Sequence, residues 1–256
     1  MKRIPALTLA LVLLSACAPN VPQSAPVQLT VFAAASLTES FGEIATAFEE
    51  SHPVVDVTLN FAGSNTLRAQ IDQGAQVDVF ASANTKEMDA LVSNGLVAEG
   101  APQTFLTNRL VVITPADNPV KLTAFDELSR PGLKLVLAAE DVPVGRYARQ
   151  MLDKAGTDFK TQVLANIVSN ETDVKQVVAK VQLGEADAGI VYASDAVAAP
   201  ELPVIEIPTE WNVVATYPIA MLKDAPHPKL AEAFVVFVLS PDGRAILKKW
   251  GFSPAQ

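Results

Sequence analysis

The sequence predicts an α/β protein that folds into two lobes with a cleft between them. Short apolar stretches typical of β-strands alternate with segments whose apolar residues keep helical spacing, and this alternation begins again after the strongly apolar stretch 109–115. Half of the 256 residues are hydrophobic, which provides ample material for a buried core. Strands that alternate with helices also favour parallel pairing in the sheet.

The charge and the rare residue types exclude several classes of function. The formal net charge is −9, and only 18% of the residues are charged. Nucleic acid needs a basic surface on its partner, so the sequence argues against binding to it. Two histidines and one cysteine leave no material for a Cys/His metal site or a disulfide framework. We therefore expect no cofactor.

The N-terminus predicts export. Lys2 and Arg3 precede an almost wholly apolar run at 7–14. This run is too short to span a bilayer as a mature helix, and it has the layout of a secretory signal.

The end of this segment predicts a lipid anchor. The residues 14–17, Leu-Ser-Ala-Cys, resemble the lipobox of bacterial lipoproteins. By that resemblance, residues 1–17 are a lipoprotein signal peptide and Cys17 carries the lipid. Residues 18–26 contain three prolines and predict a tether rather than part of the fold. An ordinary signal peptide with an incidental cysteine is the alternative.

The first predicted helix carries a candidate anion site. Residues 31–35 predict a strand that ends in small residues, and Ser36 follows directly. Ser36 with Glu39 three positions later predicts a capping box, which places Ser36 at the helix N-terminus. Backbone N–H groups there have no intrahelical partner and the helix dipole is positive, so the position can bind an anion. A serine cap without any ligand is the alternative.

The same pattern of strand, small residue, serine and helix recurs further along. A strand at 55–59 leads to Ser64, which is the second candidate donor to an anion. In the second half of the chain, residues 142–145 lead from a strand into a helix, and Tyr192 ends a buried strand. Ligands of open α/β sheets bind beyond the carboxyl ends of strands, where all of these residues would lie.

The remaining elements complete the two α/β units. Further strands are expected at 77–81, 133–138, 167–168, 189–192, 204–207 and 217–222, and further helices around 88–92, 147–152, 174–181, 231–239 and 242–248.

Several stretches resemble one known family. They are VFAAASLT (31–38), FAGSNTL (61–67), DVFASA (78–83), VPVGRYA (142–148), ETDV (171–174) and GIVYASDA (189–196). In this order they resemble the motifs of molybdate-binding proteins, the substrate-binding components of molybdate ABC transporters. The resemblance covers essentially the whole mature chain. It implies the two-lobed periplasmic-binding-protein fold of type II, with the ligand cleft between the lobes.

The resemblance also implies a set of ligand-binding residues. They are Ser36, Ser64, Val144, Val174 and Tyr192. The serines and the tyrosine would donate hydroxyl hydrogen bonds, and Val144 and Val174 would donate backbone N–H groups. Metal would be bound only as the oxyanion, molybdate or tungstate, and no residue would be catalytic. By the same resemblance, some relatives have alanine at the position of Val144 and serine at the position of Gly63, and Gly63 has no hydroxyl to donate.

The resemblance further implies location, partners and lobe boundaries. The protein would be an exported, membrane-anchored lipoprotein facing the periplasm or the cell exterior, and a monomer. It would deliver the oxyanion to the permease and ATPase of an ABC transporter. We expect residues 27–111 with 217–256 to form the first lobe and 112–216 the second.

The predicted donors are uncharged, which reconciles an anionic ligand with an acidic protein. Neutral dipoles at helix starts can hold a dianion without a buried counter-ion. A partly protonated phosphate would find no acceptor, whereas cavity size alone would exclude sulfate. We expect Asp173 to cap the helix at Val174 and to point away from the ligand, whereas Tyr147 and Tyr217 lack the motif context of Tyr192.

Three alternatives remain at this point. The same protein could bind sulfate or another oxyanion, or it could be a sensor that does not take part in transport. Ser36 or Ser64 could be the nucleophile of a hydrolase, but neither lies in a Gly-x-Ser-x-Gly motif and no histidine stands at a plausible triad position.

Overall fold

The computed structural model describes residues 25–255. The predicted signal peptide, Cys17 and most of the predicted tether lie outside this range. The described strands are β1 Val27–Ala34, β2 Val55–Ala62, β3 Val79–Ala81, β4 Gln103–Ile113, β5 Leu135–Ala138, β6 Ile167–Glu171, β7 Ala188–Tyr192, β8 Val204–Glu206, β9 Val214–Met221 and β10 Ser253–Pro254. The described helices are α1 Thr38–Ser51, α2 Ser64–Asp72, α3 Thr85–Ser93, α4 Pro143–Ala155, α5 Thr157–Ala165, α6 Val174–Gln182, α7 Ala193–Ala198, α8 Pro228–Leu239 and α9 Pro241–Lys249. Two 3₁₀ turns lie at Ala35–Leu37 and Phe125–Ser129.

One continuous sheet connects two lobes. Its strand order is β2-β1-β3-β9-β4-β7-β5-β6, and β8 and β10 pair with β4. Strand β4 changes partners along its length, because Arg109 pairs with Val214 of β9 whereas Leu110 pairs with Tyr192 of β7. We call the part built on β1, β2, β3 and β9 the first lobe and the part built on β5, β6, β7 and β8 the second lobe. The chain passes from the first to the second through β4.

The prediction of parallel pairing is only partly correct. β1 pairs in parallel with β2 and β3, and β5 does so with β6 and β7. β9 is antiparallel to both β3 and β4, and β4 is antiparallel to β7. The physical reason is the crossover: the chain leaves the first lobe along β4, and β9 brings it back in the opposite direction.

An aromatic cluster anchors the first lobe. Apolar residues at helical spacing place Phe41 and Phe48 on the buried face of α1, where both pack edge-to-face on Phe234 of α8. This packing fixes α1, and therefore the start of α1, against the sheet.

In the second lobe a glycine permits close packing between β7 and α6. A Cβ atom at Gly189 of β7 would lie 2.8 Å from the side chain of Val177 and 3.0 Å from that of Val181, both of α6. The absence of that Cβ atom lets α6 pack directly on β7.

Two helices, α5 and the short α7, were not predicted from the sequence. α5 follows Gly156, which ends α4 in a left-handed conformation at φ 107°. Only Val163 of α5 is buried, so the helix lacks the apolar face that makes a helix visible in a sequence. Within residues 25–255, no helix combines the length and apolarity that crossing a membrane requires.

Candidate functional site

The five predicted ligand-binding residues lie around one pocket between the lobes. The lining of this pocket includes Ser36, Ser64, Val144, Val174 and Tyr192. All five are buried. Ser36 and Ser64 come from the first lobe and the other three from the second, so the pocket exists only where the lobes meet.

Ser36 reaches the pocket in a different way from the one predicted. It lies inside the 3₁₀ turn, α1 begins two residues later at Thr38, and no side chain caps either element. The predicted capping box is therefore wrong. The Ser36 hydroxyl instead forms a 2.9 Å hydrogen bond with the hydroxyl of Tyr217. The Glu39 carboxylate accepts a hydrogen bond from Lys175. A long-range partner has displaced the local one.

Ser64 has a hydroxyl proton available for a ligand. It is the first residue of α2, and its Oγ accepts a 3.0 Å hydrogen bond from the backbone N–H of Ala83. Because the hydroxyl accepts this bond, its own proton remains free to be donated. The first backbone hydrogen bond of α2 runs from Leu67 to Gly63, so the amide of Ser64 has no partner within its helix.

The second lobe presents two helix N-termini to the pocket. Pro143 opens α4, and the first hydrogen bond of α4 joins the Arg146 amide to the Val142 carbonyl, so the amide of Val144 has no intrahelical partner. Val174 is the first residue of α6. These unpaired amides and the positive ends of two helix dipoles make this wall of the pocket attractive to an anion.

Asp173 is the charged side chain among the residues that line the pocket. Its Oδ1 accepts a 3.0 Å hydrogen bond from the amide of Gln176, which confirms its predicted role as the cap of α6. Its Oδ2 accepts a second bond of 2.9 Å from the Gln176 side chain. Both carboxylate oxygens are therefore engaged by the helix rather than presented to a ligand.

Tyr192 presents a buried hydroxyl that has no hydrogen-bond partner among the described residues. Its ring packs edge-to-face on Tyr217 at 5.8 Å between centroids. Burial raises the pKa of Tyr192 well above its ordinary value, and the neighbouring Tyr217 raises it further. The hydroxyl therefore keeps its proton at neutral pH and can serve as a hydrogen-bond donor.

Tyr217 is the residue that the sequence did not reveal. Tyr217 is fully buried, and its burial raises its pKa. Its hydroxyl forms a hydrogen bond with the hydroxyl of Ser36. The two residues are 181 positions apart, so no local pattern connects them. The one available signal was its position at the crossover into the last strand of the first lobe.

The lobes are in close contact at the rim of the pocket. Asn65 Nδ2 of the first lobe donates a 2.9 Å hydrogen bond to Asp141 Oδ2 of the second. A Cβ atom at Gly63 would lie 2.6 Å from the backbone carbonyl oxygen of Thr172. The two lobes therefore touch each other at this rim.

The residues that line the pocket offer neutral donors and no cation. No Lys or Arg is among them. In the part of the chain that the structure describes, no group of three or more His, Cys, Asp or Glu residues could hold a metal ion. A two-lobed α/β fold with a pocket at the lobe interface is the arrangement of a binding protein, and the neutral donors of this pocket suit a small anion.

Comparison with known proteins gives the family. Residues 29–253 match the family described as bacterial extracellular solute-binding proteins, and the chain belongs to that family. It is therefore an exported binding protein and not an enzyme.

Individual relatives and a solved structure agree with this assignment. The molybdate-binding protein ModA of Mycobacterium tuberculosis is 42% identical over 248 residues, which cover 94% of this chain and 92% of that protein. The putative ABC transporter substrate-binding lipoprotein YvgL of Bacillus subtilis is 31% identical over 254 residues, covering 98% and 96%. The periplasmic molybdate-binding protein of Azotobacter vinelandii has the same fold, with a TM-score of 0.80, 24% identity and coverage of 89% and 100%.

Proposed function

We propose that the pocket binds molybdate, and also tungstate, and that the protein delivers the oxyanion to the permease and ATPase of an ABC transporter. The observation that carries this proposal is the convergence of Ser36, Ser64, Val144, Val174 and Tyr192 on one pocket. The 42% identity to a molybdate-binding protein supports the choice of ion.

The donors suit a tetrahedral dianion. Three hydroxyls and two helix-start amides surround the pocket from both lobes. Each hydrogen bond to a charged oxygen contributes ~1.5–3 kcal/mol, so several together support tight binding after the entropy of association has been subtracted. Because the donors are neutral, no buried counter-ion has to be desolvated.

The same donors select against protonated anions. Phosphate at neutral pH carries an O–H group in part of its population, and that group needs an acceptor. The Ser64 oxygen already accepts a hydrogen bond from the amide of Ala83, the Ser36 hydroxyl is paired with that of Tyr217, and both Asp173 oxygens accept hydrogen bonds from Gln176. Sulfate is unprotonated at neutral pH, so the donors do not discriminate against it. Selectivity for the larger molybdate therefore depends on the size of the pocket.

Movement of the lobes would admit and release the ion. β4 changes partners between Arg109 and Leu110, and the chain returns to the first lobe between β8 and β9. We place the hinge in these two connections. The proposed lobes, 27–111 with 217–256 and 112–216, meet within a few residues of them. The site takes all its donors from one chain, which is compatible with a monomer.

We also propose that Cys17 is lipidated and that residues 18–26 tether the binding domain to the membrane. The lipobox-like sequence supports this, as does the name of the B. subtilis relative, which describes a lipoprotein. Mass spectrometry of the mature N-terminus should find a diacylglycerol-modified Cys17, and Cys17→Ser should release the protein from membranes. An unmodified mature terminus at another residue would contradict the anchor.

Isothermal calorimetry on the soluble chain without residues 1–17 tests the ligand. We expect one molybdate per chain, competition by tungstate and no competition by sulfate. No heat with molybdate, or equal affinity for sulfate, would overturn the assignment.

A further inference from the structure

Three charged residues that do not line the pocket stand close to pocket residues in the chain. Each closely follows a pocket residue in sequence: Glu39 comes three positions after Ser36, Lys175 one after Val174, and Asp195 three after Tyr192. We call Glu39, Lys175 and Asp195 the charged triad. Lys175 lies in α6 together with Val174, whereas Glu39 and Asp195 lie in α1 and α7, the helices that directly follow the 3₁₀ turn and β7.

Lys175 contacts both carboxylates of the triad. Its Nζ donates hydrogen bonds of 2.9 and 2.8 Å to the two oxygens of Glu39, and it lies 3.3 Å from Oδ1 of Asp195. Asp195 is buried, and its Oδ2 accepts a 3.2 Å hydrogen bond from the amide of Tyr192. The triad therefore joins α1, α6 and α7.

The two ion pairs of the triad differ in what they connect. Lys175 and Asp195 both belong to the second lobe, whereas Glu39 belongs to the first. Among the ion pairs of residues 25–255, Glu39–Lys175 is the one that crosses the cleft. The pair Arg109–Glu206 lies instead at the connecting strand β4.

The charges make the cross-cleft pair depend on closure. Burial alone would lower the pKa of Lys175, but the carboxylates of Asp195 and Glu39 raise it above its ordinary value, so Lys175 is charged. When the lobes separate, Lys175 keeps Asp195 and loses Glu39. The pair with Glu39 is partly shielded, with 28% and 32% of the two side chains exposed, so water screens it less than a fully exposed pair.

We propose that Glu39–Lys175 is a latch that stabilises the closed lobes, with Lys175 as its positioning residue and Asp195 as the support that holds Lys175 towards the cleft. This inference rests on the proposed function, because the bound oxyanion is what the closed lobes retain. The latch places a cation close to the pocket without contact with the ligand, so it stabilises closure while the donors themselves stay neutral.

The test compares Glu39→Gln, Lys175→Met and the double variant with the wild-type soluble chain. We expect molybdate affinity, measured by calorimetry, to fall about three- to tenfold in each single variant. The double variant should bind no more weakly than the weaker single variant, because the two changes remove one interaction. Lys160→Met is the matched control, since Lys160 pairs with Asp153 inside the second lobe and should leave affinity unchanged.

A second readout separates a latch from a general structural role. Small-angle scattering with saturating molybdate should show less compaction in Glu39→Gln than in the wild type, and stopped-flow mixing should show faster release of the ion. Lys175→Met leaves Asp195 buried without a counter-ion, so if that variant fails to fold, Glu39→Gln carries the test alone.

The outcomes distinguish the two proposals. If the wild type binds molybdate and Glu39→Gln binds it with unchanged affinity and release rate, the latch is overturned and the proposed function stands. If both single variants weaken binding but the double variant shows their summed effect, the residues act independently and the latch is also overturned. If the wild type does not bind molybdate, both proposals fail.

Discussion

Replacement of Tyr192 by phenylalanine should affect the affinity for molybdate and the stability of the fold differently. The change removes one oxygen atom from a buried side chain and leaves the ring, which packs on Tyr217 at 5.8 Å. In the described part of the chain, the removed hydroxyl has no hydrogen-bond partner. If the hydroxyl serves the ligand, Tyr192→Phe should weaken binding without weakening the fold.

The expected magnitudes follow from these contacts. A hydrogen bond from a neutral donor to a charged oxygen is worth ~1.5–3 kcal/mol, so the dissociation constant for molybdate should rise ~10- to 100-fold. The unfolding free energy without ligand should stay the same or rise, because no hydrogen bond within the protein is lost and an unsatisfied buried hydroxyl is removed.

Tyr217→Phe is the matched control. It also removes one buried tyrosine hydroxyl, but this one is bonded to Ser36 at 2.9 Å. Its loss should lower the unfolding free energy by ~0.5–1.5 kcal/mol. Calorimetric titration with molybdate and thermal unfolding of the ligand-free chain measure both quantities. Unchanged molybdate affinity in Tyr192→Phe, or a loss of stability equal to that of Tyr217→Phe, would refute the role assigned to Tyr192.

Three further predictions concern the other donors, the cleft and the buried carboxylate. Ser36→Ala and Ser64→Ala should each weaken molybdate binding about tenfold or more with the fold intact, and unchanged calorimetric affinity in both would contradict the assigned site. Gly63→Ala should weaken binding about tenfold, because a Cβ atom 2.6 Å from the Thr172 carbonyl keeps the lobes apart. Gly42→Ala, with nothing within 4 Å of its Cβ atom, is the control, and equal calorimetric affinities for the two variants would count against this steric effect. Burial raises the pKa of Asp195 from 3.8 to about 6, so the folded chain holds a proton that the unfolded chain has lost between these pH values. The unfolding free energy of the wild type, relative to Asp195→Asn, should therefore fall by about 2 kcal/mol as pH rises from about 4 to about 6, and parallel pH profiles in denaturant titrations would contradict this.

The sequence predicted which residues converge on the pocket better than it predicted their local geometry. Strand ends followed by small residues and helix starts pointed to Ser36, Ser64, Val144 and Tyr192, because the carboxyl ends of strands meet at one edge of a sheet. Val174 was added only by the resemblance. Its helix start is recognisable in the sequence, but nothing local indicates that this start faces the other lobe.

What the sequence did not predict depends on contacts between distant residues. The hydrogen bond between the hydroxyls of Ser36 and Tyr217 replaces the expected capping box at Ser36, and the other member of that box, Glu39, is bound by Lys175. The antiparallel direction of β9 follows from the crossover between lobes and not from the residues of the strand itself. Spacing along a chain cannot reveal such pairs, since each local pattern is compatible with several tertiary partners.

The most direct test of the proposed site is the position of the metal atom. Crystals of the soluble chain grown with molybdate, measured at the molybdenum absorption edge, should show one anomalous peak in the pocket, within hydrogen-bond reach of the Ser36, Ser64 and Tyr192 hydroxyls. No peak in that pocket, or a peak whose oxygens contact a lysine or arginine, would contradict binding of the oxyanion by neutral donors at the lobe interface.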